Sequence, residues 1–262
     1  MTKEKVSAYI RVKDEIKTIE PCLNSIDELF DRIIIVYSDE QDDGSIELIH
    51  NWTKTRPYCE VHKYPYKVLP SYDDAYNFDY DEKNSLASYN NFGLSFFEQE
   101  EYVFKIDADQ VYIRSALIEF IDGVKSTKAN NIKYGLRGYN SFVWNNYLVK
   151  YASVPLNGMG GDSYCIKRKY IEKFIQKNAY EEIVLKDIKK SYIWHKPIWF
   201  HFMKQLKLSD GIICKNDNAK LTDIEFLNEE EIKLFEENIR PLLKTSPYFD
   251  VKLYKSKDIE EI

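Results

Sequence analysis

The apolar residues at the start of the chain alternate between continuous runs and spacings of three and four. Val6–Val12 is a run of strand formers that breaks at the charged turn Lys13-Asp14-Glu15. Ile16, Ile19, Leu23, Ile26 and Leu29 then recur at helical spacing, with Pro21 early enough to be tolerated. Residues 32–37 fit a second strand, with an unbroken apolar run from Ile33 to Tyr37, as expected of a central strand covered on both faces. An acidic loop, Ser38-Asp39-Glu40-Gln41-Asp42-Asp43-Gly44-Ser45, leads into a helix through Ile46, Leu48 and Ile49, and residues 61–68 fit a third strand. This β-α-β-α-β order predicts parallel pairing with right-handed crossovers, and ligands beyond the carboxyl ends of the strands.

The next predicted elements are a long polar segment at 70–83, read as a flap that orders on binding, and a helix over 84–97. A short buried strand then ends in Lys105-Ile106-Asp107-Ala108-Asp109, followed by a helix at 116–124 with Ser115 as its N-cap. The second half predicts strands at 132–144, 147–154 and 163–166, the last preceded by the glycine-rich loop Gly158-Met159-Gly160-Gly161-Asp162. Residues 170–176 carry apolar side chains at helical spacing, and residues 192–202 place His195 and His201 among bulky aromatics. Asn228 and Glu231 have the spacing of a capping box for a helix through Ile232, Phe235 and Ile239.

Composition narrows the classes. A chain of 262 residues with 21 Tyr and 14 Phe can bury a sizeable core, and its net charge of −6 argues against nucleic acid as a partner. Cys22, Cys59, Cys165 and Cys214 lie far apart, which points to a reducing, cytoplasmic setting and not to a zinc site or disulfide framework. No apolar run approaches the roughly 20 residues of a membrane span. Peripheral contact with a membrane is compatible with this. Gly-x-Gly-x-x-Gly, Walker and Gly-x-Ser-x-Gly motifs are absent.

Asp107 and Asp109, one residue apart at a strand end, are expected on one side, where their mutual repulsion calls for a cation. Mg²⁺ or Mn²⁺ suits two carboxylates and would bridge to phosphate; a lone Asp-x-Asp fits a polar strand exit better, and its context shifts the balance. Arg11 with Glu15, the loop Asp39 to Asp43, the Asp107/Asp109 pair and Gly160-Gly161-Asp162 all fall at strand ends. Together they suit a nucleotide-sugar site. His201, before His195, is a candidate third metal ligand; each also fits an aromatic core. For a general base the candidates are Asp162, ranked first, then Glu181, Glu182 and Asp187.

The blocks Ile10-Arg11-Val12-Lys13-Asp14-Glu15, Asp39 to Ser45, Lys63-Tyr64-Pro65-Tyr66 and Lys105-Ile106-Asp107-Ala108-Asp109 occur in this order. They resemble the bacterial β-1,4-N-acetylgalactosaminyltransferases that extend lipooligosaccharide, and more broadly inverting GT-A glycosyltransferases of the family 2 type. The likeness is specific over about the first 120 residues. It departs at Glu40-Gln41-Asp42, where the broader family usually has Gly-Ser-Thr.

The resemblance implies an α/β GT-A fold with a mainly parallel central sheet, and a C-terminal helical and aromatic region on the acceptor side. The corresponding division is 1–125 for the nucleotide-sugar half, 126–215 for the acceptor half and 216–262 for a C-terminal helical extension. It further implies a UDP-sugar donor, UDP-GalNAc or UDP-Gal favoured, a divalent metal at Asp107 and Asp109, to which the residues themselves add His201, and an oligosaccharide or glycolipid acceptor. Donor contacts are expected from Arg11, Glu15, Asp39, Asp43, Lys63 and Asn91, and catalysis from Asp162 or Glu182. A metal-dependent nucleotidyltransferase and a non-catalytic carbohydrate-binding protein are the alternative classes.

Overall fold

Side-chain alternation along three parallel strands builds two layers of core at once. In the computed structural model these are β1 (Val6–Val12), β2 (Arg32–Ser38) and β4 (Tyr102–Asp107), and β3 (Cys59–Tyr64) follows β2 at the sheet edge. Ala8, Ile10, Ile33, Ile35, Phe104 and Ile106 face one core, while Tyr9, Ile34, Val36 and Val103 face the other. The structure describes residues 4–38, 43–70, 73–78, 80–127, 131–144, 147–151, 163–178, 180–202 and 224–253.

On the first face lie α1 (Ile19–Ile26), α2 (Ser45–Thr53) and α4 (Arg114–Ser126), which contribute Leu23, Ile26, Ile49, Leu117 and Phe120. On the second lies α3 (Leu86–Leu94), capped by the Ser85 hydroxyl. Gly93 lets this helix rest directly on β1, since a Cβ there would come within 2.3 Å of the Tyr9 ring. The α4 helix begins two residues earlier than expected and Ser115 is not its cap. Ile113 takes that position without a side-chain bond, because the strand before it, β5 (Gln110–Tyr112), runs straight into the helix.

Parallel pairing holds for β3-β2-β1-β4, and from there the sheet turns mostly antiparallel. The order continues through β8 (Tyr164–Lys167), β6 (Ile132–Trp144), β7 (Tyr147–Tyr151) and β12 (Ile224–Phe226). The expected extension of β7 to residue 154 and the glycine-rich loop lie outside the described residues. The third strand stops at Tyr64, short of residue 68, where Pro65 ends ladder pairing.

Residues 170–176 form not a helix but β9 (Ile171–Lys177), paired antiparallel with β10 (Tyr180–Leu185). Ile171, Phe174 and Ile175 satisfy a helical spacing, yet Asn178, at φ 47°, turns the chain back, and Ile183 and Leu185 complete an apolar face. This hairpin packs on α3. The segment expected as a flap is pinned in its described parts: Tyr76 is buried, and its hydroxyl donates to Leu69 O at 3.0 Å and accepts from Leu86 N.

The longest connection to the site is β11 (Lys190–Phe202), which pairs parallel with β6 and, at its end, antiparallel with β5. Against it packs α5 (Glu229–Leu234), whose capping box of Asn228 and Glu231 is formed as expected. A π turn over Phe235–Ile239 and a 3₁₀ turn over Arg240–Leu243, with Pro241 in its first turn, carry the helical path onward. Among the described residues no helix is long and apolar enough to cross a membrane.

Candidate active site

Lys105 is the anomaly of β4: a lysine in an apolar strand, 2% exposed, on the same face as Val103. Alternation puts Asp107 two residues on beside it, and the two pair at 3.0 Å. Across the parallel ladder Arg11 stands opposite Asp107 and reaches it at 3.5 Å. The other guanidinium nitrogen of Arg11 bonds Glu181 at 2.6 Å, a carboxylate carried in by β10 from 170 residues away. Asn90 of α3 closes this group, donating to Glu181 at 3.1 Å and accepting from the Tyr9 hydroxyl at 3.2 Å.

Burial alone would raise the Asp107 carboxyl, but Lys105, Arg11 and His201 outweigh it and hold it at about 2. Glu181 is likewise lowered: burial works against ionisation, and Arg11 and Lys105 overcome it. Both are therefore fixed anions at neutral pH.

The two aspartates do not share one orientation. β4 ends at Asp107, and Ala108-Asp109 belong to a tight turn, stapled by the Asp107 N–H to Gln110 Oε1 bond at 3.2 Å. Asp109 meets His201 instead. The end of β11 is placed by pairing with Gln110 and by the Phe202 N–H, which donates to Asp109 O at 2.8 Å. His201 Nε2 then lies 3.0 Å from Asp109 Oδ1, and Nδ1 lies 3.0 Å from Asn140 Oδ1 on β6. Against burial, which lowers it, Asp109 with Asp107 and Glu15 behind it raises the imidazole to about 9.

The pH consequence has a definite sign. A folded-state value above the ordinary 6.5 means that the pair stabilises the metal-free protein fully below about 6.5. That contribution is lost as pH rises through about 9. Denaturant titrations across this interval are expected to show a decline in the native protein that is largely absent from His201→Gln. Parallel curves for the two would remove the ion pair from the account.

The described end of the first acidic loop, Asp43 to Ser45, holds the chain together. Asp43 accepts from Ile16 N and Ser45 N, both at 3.0 Å, and from the Ser45 hydroxyl. Ser45 Oγ in turn accepts from Glu15 N at 3.0 Å. Gly44, at φ 97°, permits the tight entry into α2. These bonds tie together the carboxyl ends of β1 and β2. Between them lies a small recess lined by Val12, Lys13, Asp14, Tyr37, Ser38, Ser45 and Ile46. A roomier cleft of about 370 Å³, between α1 and α2, carries none of the charged cluster.

The expected residues therefore divide. Arg11, Glu15, Asp107, Asp109 and His201 are brought together, and Lys63 stands opposite Tyr37 on edge strand β3. Asn91 is turned to β9, where its amide bonds Phe174 N at 2.7 Å and Phe174 O at 2.9 Å. Its neighbour Asn90 is the one in the cluster. Glu182 faces the opposite side of the hairpin from Glu181 and lies 3.7 Å from exposed Lys177, which places it away from the cluster. His195 is exposed beside Trp194. Asp39 and Asp162 lie outside the described residues.

The donor set fits a divalent cation in one specific way. Where Asn140 accepts a proton from Nδ1, the Nε2 lone pair of a neutral His201 faces Asp109, so a cation would take the place of the Nε2 proton. Among the described residues no three His, Cys, Asp or Glu side chains gather as a cage. Asp109 and His201 would hold the ion, and substrate oxygens and water would complete the shell.

Comparison with known proteins bears on the fold and the family. Crystal structures of S. aureus TarS 1-349 are similar. The complex with UDP has a TM-score of 0.50 and 10% identity, over 76% of this chain and 60% of that one. For the complex with UDP-GlcNAc the TM-score is 0.50 at 10% identity, over 93% and 67%. At such identity the likeness is one of fold, and the chain spans about 60% of the length of the first of these fragments. No curated protein matches. Residues 3–228 match the model of the family described as beta-1,4-N-acetylgalactosaminyltransferase (CgtA). That match runs from β1 to β12, through both halves of the sheet and the strand that delivers His201, and the chain belongs to this family of glycosyltransferases.

Proposed function

We propose that the protein transfers a hexose or N-acetylhexosamine, N-acetylgalactosamine or galactose first, from a UDP-sugar to a surface-glycan acceptor such as lipooligosaccharide or capsule. The transfer is metal-assisted and inverts the anomeric centre. One observation carries the reading: Asp109 and His201, 3.0 Å apart, converge at the carboxyl end of β4 beside the Arg11–Asp107 pair. The family match supports the reaction class, and TarS, solved with UDP and with UDP-GlcNAc, supports a uridine nucleotide on this fold.

In this reading the recess between the ends of β1 and β2 receives the nucleoside. Tyr37 offers an aromatic wall, and Ser38 and the Glu15 turn offer polar edges. Arg11 and Lys105 keep Asp107 ionised without a cation of its own, which leaves Asp109 and His201 as the pair that binds one. A divalent cation, when bound, supplies the charge that offsets the departing diphosphate. Asp162, with Glu182 facing away, takes the proton of the acceptor hydroxyl as it attacks from the face opposite the leaving group. An acceptor anchored in a membrane would put the protein at the cytoplasmic face of that membrane.

The test is release of UDP from UDP-GalNAc, UDP-Gal, UDP-GlcNAc and UDP-Glc, each with Mn²⁺ and with a chelator. Turnover of one of them, dependent on Mn²⁺, is expected. Failure of all four, or release of pyrophosphate from a nucleoside triphosphate instead, would overturn the assignment.

A further inference from the structure

Lys133, the second residue of β6, is a buried cation that lacks an anion. It is 8% exposed, and among the described residues no carboxylate pairs with it and no group is hydrogen-bonded to its amine. The other lysines buried in the sheet are paired: Lys105 with Asp107 at 3.0 Å, and Lys167 with Glu4 at 2.8 Å. Burial lowers the Lys133 amine, and no charged neighbour offsets that effect.

Strand pairing gives this side chain a direction. Tyr134 and Tyr192, partners across β6 and β11, meet ring to ring with centroids 6.3 Å apart, so ladder partners here share a side. The preceding partners, Lys133 and Ser191, therefore share the opposite side. Lys189 joins them by alternation, its N–H donating to Asn131 O at 3.1 Å to extend the ladder. Ser191 and Lys189 are exposed, and among the described residues neither side chain is bonded. On this side also lie Tyr164, opposite Gly135, and the core that Leu185 and Ile188 join. An ammonium in such an apolar setting is costly unless an anion meets it.

The cluster is separate from the site at the other end of the sheet. Cys165 stands opposite both Tyr134 and Phe104, which puts Lys133 level with Val103. That is roughly 13 Å along the strands from Asp107, at about 3.3 Å per residue.

We infer that Lys133, Ser191 and Lys189 form a second oxyanion site, one that takes a phosphate group. Two ammoniums and a hydroxyl offer donors to several oxygens at once, which suits phosphate better than a carboxylate with its two. The site is independent of the donor reading, since none of its residues belongs to the Arg11–Asp107 or Asp109–His201 pairs. Lipid headgroups and soluble phosphates both present this group.

Melting of the full chain in chloride and in inorganic phosphate, at equal pH and ionic strength, tests the site. With phosphate about tenfold above its Kd, the native protein should melt roughly 3–6 °C higher. Lys133→Met keeps an unbranched stem and should lose that rise. In chloride it should melt at or above the native temperature, because a charge with no partner has been removed. Ser191→Ala, at an exposed position, should reduce the rise and leave melting in chloride unchanged. No rise in the native protein, or an equal rise in Lys133→Met, would overturn the inference. So would Lys133→Met melting well below the native protein in chloride, which would mean that the amine already has its partner in the fold. Sedimentation with phosphatidylcholine vesicles, with and without phosphatidylglycerol, assigns the source. Capture by the phosphatidylglycerol vesicles that is lost in Lys133→Met would support the site with a lipid as its ligand. A rise in melting without capture would support it with a soluble phosphate.

Discussion

Asp109→Asn is expected to lower turnover by roughly 10²–10³-fold, the cost of removing one preorganised charge aimed at a developing anion. The amide keeps the shape of the carboxylate and removes the charge that His201 faces at 3.0 Å. Two effects should then move together. Mn²⁺ should no longer strengthen UDP binding, and the imidazole should titrate well below its native value of about 9. Nuclear magnetic resonance of the His201 ring reads the second without any substrate. The turn that carries Asp109 is held by main-chain bonds, Phe202 N–H to Asp109 O among them, so the fold should survive. Native turnover in this variant would remove Asp109 from the site.

Arg11→Met should have the largest effect on stability. It strips the 2.6 Å partner from Glu181, whose side chain is only 8% exposed, and leaves Asp107 with Lys105 and the charge of His201. Breaking a buried pair by removing one partner costs about 3–5 kcal/mol, because the remaining charge stays desolvated. For a chain of this size that corresponds to a fall in melting temperature of roughly 6–20 °C. Without Arg11, burial pushes the Glu181 carboxyl up, so the deficit should shrink as pH falls and Glu181 takes a proton. Glu181→Gln placed on top of Arg11→Met should recover part of the loss at neutral pH. A loss under about 1 kcal/mol would mean that water reaches the pair freely and that it behaves as an exposed one.

What could be seen from sequence was whatever depends on neighbours along the chain. The apolar runs of β1, β2 and β4 and the capping box at Asn228 and Glu231 are local, and they formed as expected. Residues 170–176 failed because Ile171, Phe174 and Ile175 satisfy a helical face as well as a strand, and only pairing with Tyr180–Leu185 decides between them. In the site, Asp107 and Asp109 were visible as a local pair, but their partners come from β1, β10 and β11. Two signals were available and unread. A lysine at position 105 inside a buried strand requires an anion on its own face, and Asp107 is the residue that face supplies. Asp43-Gly44-Ser45 just before a helix is turn chemistry, an Asp side chain bonding the N–H two residues on, which is how Asp43 is used. No local signal separates Asn90 from Asn91; the rotation of α3 on Tyr9 does that.

The long reach of the site's contacts also sets when it can exist. Arg11 waits for Glu181, Asp109 for His201, and Glu20 for Thr245, each bond closing a loop of roughly a hundred residues or more. Closing such loops loses chain entropy before any contact rewards it, so proteins dominated by them fold slowly. During synthesis the four parallel strands have left the ribosome well before β11 does, and until then Asp109 lacks its histidine. The nascent protein would pass through a stage with a sheet and no Asp109–His201 pair, so on the proposed function a half-made chain would not yet act on sugar nucleotide.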